Sequence, residues 1–361
     1  MLPKLTRDVA YKQLTEFFDE KPFILFATGT SCALDLRFGM PALEKHLKER
    51  LATGLSEDHN RQWQAVLASL EQYPDNFEKA MDCITDDALT EKIVNLTGAF
   101  VAGIDQEHAP KILTGEEQWP GLCLIQWLFR KFAKAGSEEL HVATPNYDLL
   151  GEYAFCQAGI PYITGFTGGF CRDLDWTKSK RSFQRFQQKN RRCVQVKEPH
   201  IVLHKPHGSL NTFEVNGRTV QCDGWITSVP DQIKRSMVTP GTEKYKVLHD
   251  NRSNLLAKYD TAVDRHNRFL FLGFGFNDAQ LVNNRIIPKL KAGGCKGLII
   301  TRDTNPRIEE ILKESPNLWL VCKQESNDST RVKNGQYIDW LYLDDEKLWN
   351  FDEFTRTILG S

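Results

Sequence analysis

The sequence lacks the features that mark secreted, membrane-spanning and metal-stabilised proteins. Its nine cysteines are scattered without any C-x-x-C pair, which argues against a disulfide framework and against a four-cysteine zinc site. No apolar run approaches the roughly 20 residues of a membrane helix, and residues 1–16 lack the apolar centre of a signal peptide. The net charge of −1 creates no general field that attracts nucleic acid or an anionic membrane. We therefore expect a soluble, cytoplasmic protein whose cysteines are mostly small core residues.

What is present fits a globular chain with a large core. Its 361 residues are 41% hydrophobic and 26% charged, which are ordinary values for such proteins. Helical patterns alternate with short apolar runs that are typical of strands buried on both faces. These runs lie at residues 23–27, 139–143, 160–166, 201–207, 268–272, 297–301 and 318–321. The alternation predicts an α/β fold with a doubly wound, Rossmann-like parallel sheet.

A long helical region interrupts this alternation. Residues 42–136 have a helical pattern almost throughout, with breaks near Pro74, Gly103 and Pro120. Because a simple crossover is far shorter, we interpret the region as an inserted all-helical subdomain that serves as a lid, an oligomer surface or packing.

The insertion lies within a main domain that we place at residues 1–312. Residues 313–361 then form a C-terminal strand and helix extension that packs on this domain. Its aromatic-rich segment 349–354 predicts either core packing or a docking surface.

Polar residues follow the apolar run at 139–143. Pro145 discourages helix at Thr144 and removes a backbone donor, so the strand should end there. Asn146 and Asp148 then lie at the carboxyl end of a strand, where ligands bind in open α/β sheets. The alternative is that one of them simply caps the next helix.

Two other strand ends carry residues suited to chemistry. Thr28, Gly29, Thr30 and Ser31 follow the first strand, and their small side chains allow backbone N–H groups to approach a phosphate. An ordinary strand-to-helix turn is the alternative. His207 ends a later strand beside Gly208 and Ser209, where an imidazole can accept a proton from a sugar hydroxyl. A hydrogen-bonded core histidine is the alternative for His207, and we assign His204 on the other face a structural role.

One strongly basic stretch spans residues 178–192 and contains two phenylalanines. Cations interleaved with aromatics can bind single-stranded nucleic acid or phosphates. A solvated excursion, or a surface that meets an acidic partner, is the alternative. The chain has no other nucleic-acid signature, so we do not expect direct nucleic-acid binding.

The strand-end motifs, taken together and in order, carry a family resemblance. They read T-P-N-Y-D at 144–148, K-P-H-G-S-L-N at 205–211 and G-F-G-F-N-D at 273–278. The chain resembles the sirtuin (silent information regulator) family over residues 23–301 outside the helical insertion, and more closely the divergent sirtuin-like domains of bacterial anti-phage systems. The T-x-N-x-D and H-G-S elements are the specific part of the match. Thr28 to Ser31 departs from the family's G-A-G-x-S, and Gly39-Met40-Pro41 stands where G-I-P is expected, both in the region that would contact the pyrophosphate.

The resemblance implies roles for these residues around NAD+. Asp148 would hold the nicotinamide carboxamide, Asn146 would position water or stabilise developing positive charge, and His207 would be the general base for the ribose hydroxyls. The other positions implied to contact the dinucleotide are Thr28, Gly29, Thr30, Ser31, Arg37, Thr144, Gly208, Ser209, Gly273, Gly275, Asn277 and Thr301.

A second departure decides which reaction the resemblance implies. Deacylating sirtuins carry a zinc module built from two cysteine pairs, whereas the region between His207 and Gly273 here contains only Cys222. Deacylation needs an acyl-lysine groove, but hydrolysis needs only water. We therefore expect an NAD+ hydrolase that requires no metal and releases nicotinamide and ADP-ribose. A protein deacylase and a catalytically silent nucleotide-binding scaffold are the alternatives.

The bacterial relatives also imply a biological setting. They are NAD-depleting effectors that assemble into oligomers and respond to a phage signal. We therefore expect a homo-oligomer, with a trigger supplied by oligomerisation or by a partner such as an ATPase or an Argonaute-type protein.

Overall fold

A nine-stranded mixed sheet, most of it parallel, organises the protein, as seen in a computed structural model that describes residues 4–73, 77–137, 139–189, 192–240 and 249–360. The strands of this sheet and of two smaller ones are β1 (Phe23–Phe26), β2 (Glu139–Ala143), β3 (Tyr162–Ile163), β4 (Phe166–Gly168), β5 (Arg172–Leu174), β6 (Gln184–Lys189), β7 (Arg192–Lys197), β8 (His200–His204), β9 (Gly208–Val215), β10 (Arg218–Gln221), β11 (Lys234–Met237), β12 (Arg268–Leu272), β13 (Lys296–Thr301), β14 (Leu318–Lys323), β15 (Thr330–Asn334) and β16 (Leu341–Leu343).

The strand order of the large sheet shows where the chain changes direction. The order is β16-β15-β14-β13-β12-β1-β2-β8-β3, and all neighbours from β14 to β3 are parallel. The two pairings at the other edge, β14 with β15 and β15 with β16, are antiparallel. Strands β2, β8 and β3 lie on one side of β1, and strands β12 to β16 lie on the other side. This reversal between β1 and β12 opens a crevice at the carboxyl ends of the strands. The predicted α/β fold is confirmed.

Helices cover both faces of the sheet. The helices of the described residues are α1 (Arg7–Glu16), α2 (Thr28–Cys32), α3 (Met40–Arg50), α4 (Glu57–Gln72), α5 (Phe77–Ala80), α6 (Asp87–Thr114), α7 (Leu122–Leu128), α8 (Leu150–Gln157), α9 (Trp176–Arg181), α10 (His249–Asp264), α11 (Ala279–Val282), α12 (Ile286–Lys291), α13 (Pro306–Glu314) and α14 (Phe351–Leu359), with a π-helix at Phe129–Ser137. None of those described is long and apolar enough to cross a bilayer.

The continuous apolar runs are explained by burial on two sides. In β1, Ile24 and Phe26 face a core shared with α1, α7, α8 and α14. Phe23 and Leu25 face the opposite core, which is shared with α10 to α13. Successive side chains of a strand point to opposite faces, so a strand with helices on both sides needs apolar residues at every position.

The helices between β1 and β2 fall into two groups. Helices α3, α4, α5 and the first part of α6 share a hydrophobic core of their own, in which Trp63 and Phe77 are buried. Helix α7 and the π-helix instead pack against the sheet. The predicted break at Gly103 is wrong because α6 continues through it, held by the packing of its flanks; Pro74 lies outside the described residues. The divisions at 42–136, 1–312 and 313–361 remain predictions.

Two smaller sheets were largely absent from the sequence-based picture. One has five antiparallel strands in the order β11-β9-β10-β5-β4, and the other is the β6–β7 hairpin. A tight turn joins β9 and β10, with Asn216 and Gly217 at φ values of 51° and 71°, as expected for an Asn-Gly hairpin turn.

The C-terminal aromatic segment belongs to the core. Phe351 and Phe354 of α14 are buried against α1 and α7. The Trp349 indole N–H donates to the Asp328 carbonyl at 2.7 Å. Core packing, rather than a docking surface, therefore accounts for Phe351 and Phe354, whereas Trp349 is half-buried outside the core.

Three histidines, His204 buried and His141 and His266 half-buried, cluster around Phe23 on one side of the sheet. The His141 and His204 rings stack with centroids 5.4 Å apart, and His266 lies 5.1 Å from His141. Phe23 contacts both His204 and His266. Burial lowers the pKa of all three imidazoles, to about 4 for His266. Because the His204 ring packs against Phe23, His141 and Trp176, its predicted structural role agrees with this packing.

This cluster predicts a specific loss of stability in acid. The unfolded chain takes up a proton on His266 below about pH 6.5, whereas the folded protein resists it down to about pH 4, so stability falls as the pH drops through this window. Between pH 7 and pH 5 the wild type should lose roughly 2 kcal/mol more than His266→Gln in urea unfolding. Other titrating groups cancel in this difference, and equal pH dependence of the two proteins would contradict the assignment.

Candidate functional site

A cleft of about 1150 Å³ opens at the carboxyl ends of β1, β2, β8, β12 and β13. Helices α3, α5 and α6 form its outer wall. Ten of the fifteen residues singled out in the sequence line it: Thr28, Gly29, Arg37, Asn146, Asp148, His207, Gly273, Gly275, Asn277 and Thr301. The strand ends thus converge on one crevice.

The other five candidates lie behind the cleft surface. Thr30 donates its hydroxyl to the Ala27 carbonyl, and Thr144 accepts a hydrogen bond from the Asn146 N–H at 3.1 Å. Ser209 donates to Asn211 Oδ1 at 3.0 Å. The remaining two are Gly208 and Ser31. A Cβ on Gly208, whose φ is +74°, would lie 2.1 Å from the Ser236 carbonyl, so glycine is required where β9 meets β11.

Ser31 joins the two central polar residues. Its hydroxyl donates to Asp148 Oδ2 at 2.8 Å and accepts from Asn146 Nδ2 at 2.9 Å. The remaining amide oxygen, Asn146 Oδ1, is buried and has no hydrogen-bond partner among the described residues. A buried acceptor without a partner is costly, so it is poised for a donor that enters the cleft. Ser31 therefore orients the pair from behind.

Neither Asn146 nor Asp148 is the main cap of the next helix. The N-cap of α8 is Leu149, whose N–H donates to Asp105 Oδ1 at 2.7 Å. Asp148 Oδ1 is 3.4 Å from the Leu150 N–H, a long contact. Since Asp105 on α6 supplies the cap, the carboxylate of Asp148 remains at the cleft.

A buried lysine balances the acids beneath the cleft. Lys205 Nζ is 2.7 Å from Glu152 Oε1 and donates to the Asp148 carbonyl at 2.6 Å. Burial raises the pKa of Glu152 and raises that of Asp148 to about 6, while the Lys205 charge opposes both shifts. The lysine was visible in the sequence as a cation inside a buried strand, which requires a partner.

His207 is paired with an acid that sequence reasoning did not assign to the site. Its Nε2 contacts Asp278 Oδ2, and both residues line the cleft. Burial alone would raise the pKa of Asp278, but the charge of His207 and its hydrogen bond lower it overall. A carboxylate in this position orients the ring and stabilises positive charge on it when a proton is taken up. Asp278 ends the G-F-G-F-N-D motif, so the signal was present.

The segment after β1 differs from the prediction. Residues 28–32 form the short helix α2 rather than a small-residue turn. The Gly29 N–H donates to the Gly273 carbonyl at 3.0 Å and the Thr30 N–H to the Ala27 carbonyl at 2.8 Å. These two N–H groups are already bonded within the protein, so the predicted approach of both to a phosphate is not seen. The glycines are required by packing, because a Cβ on Gly29 would lie 2.6 Å from Gly273 Cα.

Arg37 lines the cleft but is held by acids. Its guanidinium contacts Asp35 Oδ2 and Glu107 Oε2, each at 2.6 Å. Farther along, Thr301 donates its hydroxyl to the Asp303 carbonyl at 3.1 Å. Arg37 therefore faces a ligand with its charge already balanced.

The basic stretch lies outside the cleft. It forms α9 and β6, and residues 190 and 191 of it lie outside the described residues. Phe183 stacks on His200 with centroids 4.5 Å apart, while Phe186 is 72% exposed. Because one of its two aromatics is occupied by packing, the stretch offers a single exposed ring rather than a stacking platform.

Comparison with known families identifies part of the chain. Residues 140–294 match the profile of the family described as SIR2-like domain. This segment is a SIR2-like domain. It includes Asn146, Asp148, His207 and Asp278, and SIR2-like domains use NAD+. The predicted sirtuin resemblance is confirmed over these residues, and comparison with curated proteins gives no match.

The described residues of the SIR2-like domain and its surroundings contain no group of three or more histidine, cysteine or acidic side chains that could hold a metal ion. The acceptor Asn146 Oδ1 and the ring of His207 can each make a hydrogen bond to a polar organic ligand.

The buried lysine yields a stability prediction. Lys205→Met leaves Glu152 buried without its cation, and we expect a loss of roughly 3–5 kcal/mol in unfolding free energy. The double variant Lys205→Met/Glu152→Leu should recover most of this loss because no uncompensated charge remains. Denaturant unfolding of the wild type and the two variants measures these free energies. A loss below about 1 kcal/mol in Lys205→Met would show that Lys205 is not the main stabilising partner of Glu152.

Proposed function

We propose that the chain is an NAD+ hydrolase that releases nicotinamide and ADP-ribose. The observation that carries this proposal is the unpartnered acceptor Asn146 Oδ1, buried at the switch-point cleft beside Asp148 and the His207–Asp278 pair. A SIR2-like domain supports NAD+ as the ligand. The cleft volume of about 1150 Å³ is ample for a dinucleotide.

The residues at the closed end of the cleft suit the nicotinamide. In our proposal Asp148 accepts a hydrogen bond from the carboxamide, and Ser31 holds its carboxylate in place. The bond from nicotinamide to ribose breaks with its electron pair leaving on the nicotinamide nitrogen. Positive charge develops on the anomeric carbon, and Asn146 Oδ1 stabilises it or positions the attacking water.

His207 would act on the ribose. It accepts a proton or hydrogen bond from a ribose hydroxyl, which makes the sugar more able to bear positive charge. Asp278 keeps the ring oriented and stabilises the protonated form.

Hydrolysis is favoured over deacylation by the cysteine pattern. The sequence has no C-x-x-C pair, whereas deacylating sirtuins build a zinc module from two. Water is then the simplest acceptor for the ADP-ribosyl group. Deacylation and ligand binding without turnover remain the alternatives for the same cleft.

We further propose that the activity serves bacterial anti-phage defence by depleting NAD+. An unregulated enzyme would harm its own cell, so we expect a homo-oligomer or a partner of the ATPase or Argonaute type to control it. Size-exclusion chromatography with light scattering and an activity assay tests this. A monomer with full activity and no additions would rule it out.

The assignment of roles predicts that Asn146→Ala and His207→Ala each lower NAD+ turnover at least about 100-fold, because each removes a group acting at the reacting carbon or sugar. Nicotinamide release is followed by chromatography. Asn60→Ala, an exposed change on α4, is the control and should behave like the wild type. Full turnover by either site variant, with folding intact by circular dichroism, would refute its role.

The same assay separates the alternatives. Incubation with NAD+ alone should yield nicotinamide and ADP-ribose. Nicotinamide release that requires an acetylated peptide would indicate a deacylase. Intact NAD+ under every condition, together with binding in calorimetry, would indicate a silent scaffold.

A further inference from the structure

The helices between β1 and β2 place a carboxyl group in the wall of the cleft. Glu78 lies in α5 and lines the same cleft as Asn146, His207 and Asp278. It is half-buried, and it accepts no hydrogen bond from the part of the chain that the structure describes. Glu44 on the same wall is instead bonded to Lys48 Nζ at 2.6 Å. Glu78 is therefore a carboxyl in the cleft wall that pairs with no lysine or arginine of the described residues.

Its charge acts on the centre of the site. The electrostatic interactions of Glu78 include repulsion from Asp278, attraction to His207 and repulsion from Asp82. Burial, reinforced by Asp278, raises the pKa of Glu78 to about 7. A carboxyl with such a pKa exchanges a proton readily at neutral pH, which is the property of an effective general base.

The proposed hydrolysis needs such a group. Water that attacks the anomeric carbon must lose a proton, and an amide such as Asn146 cannot take it up. Asp148 is bonded to Ser31 and faces the carboxamide in our proposal. His207 is paired with Asp278 and assigned to the ribose hydroxyl. None of the residues assigned so far is therefore available to accept the proton of the attacking water.

We infer that Glu78 is the general base that activates the attacking water, an inference that rests on the proposed NAD+ hydrolysis. The water oxygen forms a bond to the anomeric carbon as the bond to nicotinamide breaks, and the electron pair of that bond leaves with nicotinamide. One water proton moves to the Glu78 carboxylate and is then released to solvent. The products are nicotinamide, ADP-ribose and one proton. Its negative charge also favours the cation-like transition state, as in glycosidases.

The test compares the full-length wild type with Glu78→Gln and Glu71→Gln. Glutamine keeps the shape of the protonated side chain, and Glu71 is an exposed acid of α4 in the same helical segment, so its variant is a matched charge control. NAD+ turnover is measured from pH 5.5 to pH 9. We expect Glu78→Gln to lower kcat about 100-fold with little change in KM, and to remove an acid-side decline near pH 7 that the wild type and Glu71→Gln retain.

Because Asp278, His207 and Asp82 also surround Glu78, a second experiment does not depend on titration. Azide attacks without losing a proton, so adding sodium azide to Glu78→Ala should accelerate nicotinamide release and yield ADP-ribosyl azide. The same addition should not accelerate Asn146→Ala, in which the group assigned to the developing charge is missing.

The outcomes distinguish this inference from the proposed function. Wild-type kcat and an unchanged pH profile in Glu78→Gln, or no azide acceleration in Glu78→Ala, would overturn the role of Glu78 while leaving hydrolysis intact. A wild type that never cleaves NAD+ would overturn the proposed function, and this inference with it.

Discussion

The contact between two glycine backbones is the constraint on which the site depends. Strands β1 and β12 pair in parallel as far as Phe26 and Leu272, and Gly29 and Gly273 extend the contact beyond the strands. A side chain on either glycine would lie within 2.9 Å of the opposite backbone. The two chain segments on either side of the switch point therefore lie directly against each other and close the floor of the cleft.

Side-chain contacts across the cleft then link the strands on the two sides of the switch point. His207 follows β8 and Asp278 follows β12, with β2 and β1 between these strands. Their side-chain contact therefore spans the ends of four adjacent strands, β12, β1, β2 and β8. Beneath it, Lys205 offsets the acids that would otherwise repel one another. Such buried pairs add little net stability, but loss of one partner is expensive, so they hold the geometry within narrow limits.

Local sequence was sufficient to place the central strands and most of the cleft residues. Apolar runs such as 268–272 are long enough to be recognised, and polar residues at parallel strand ends must meet at one edge.

The five-stranded sheet could not be predicted because β4, β5 and β11 are three or four residues long, with polar, partly exposed positions. Nor could the cap from Asp105, which comes from 44 residues upstream of Leu149. Helix α2 begins at Ala27 without a side-chain cap, so its sequence resembles a turn. Glu78 was missed because helices without an evident polar cluster were interpreted as packing.

The cap from Asp105 has a mechanical consequence. Helix α6 has 28 residues and is about 42 Å long, and its first part packs in the core shared with α3, α4 and α5. Nearer its other end, Asp105 of α6 accepts hydrogen bonds from the Leu149 N–H, next to Asp148, and from the Tyr153 hydroxyl. These bonds couple the position of α6 to the backbone next to Asp148, so the packing of α3 to α5 and the geometry of the cleft share one helix.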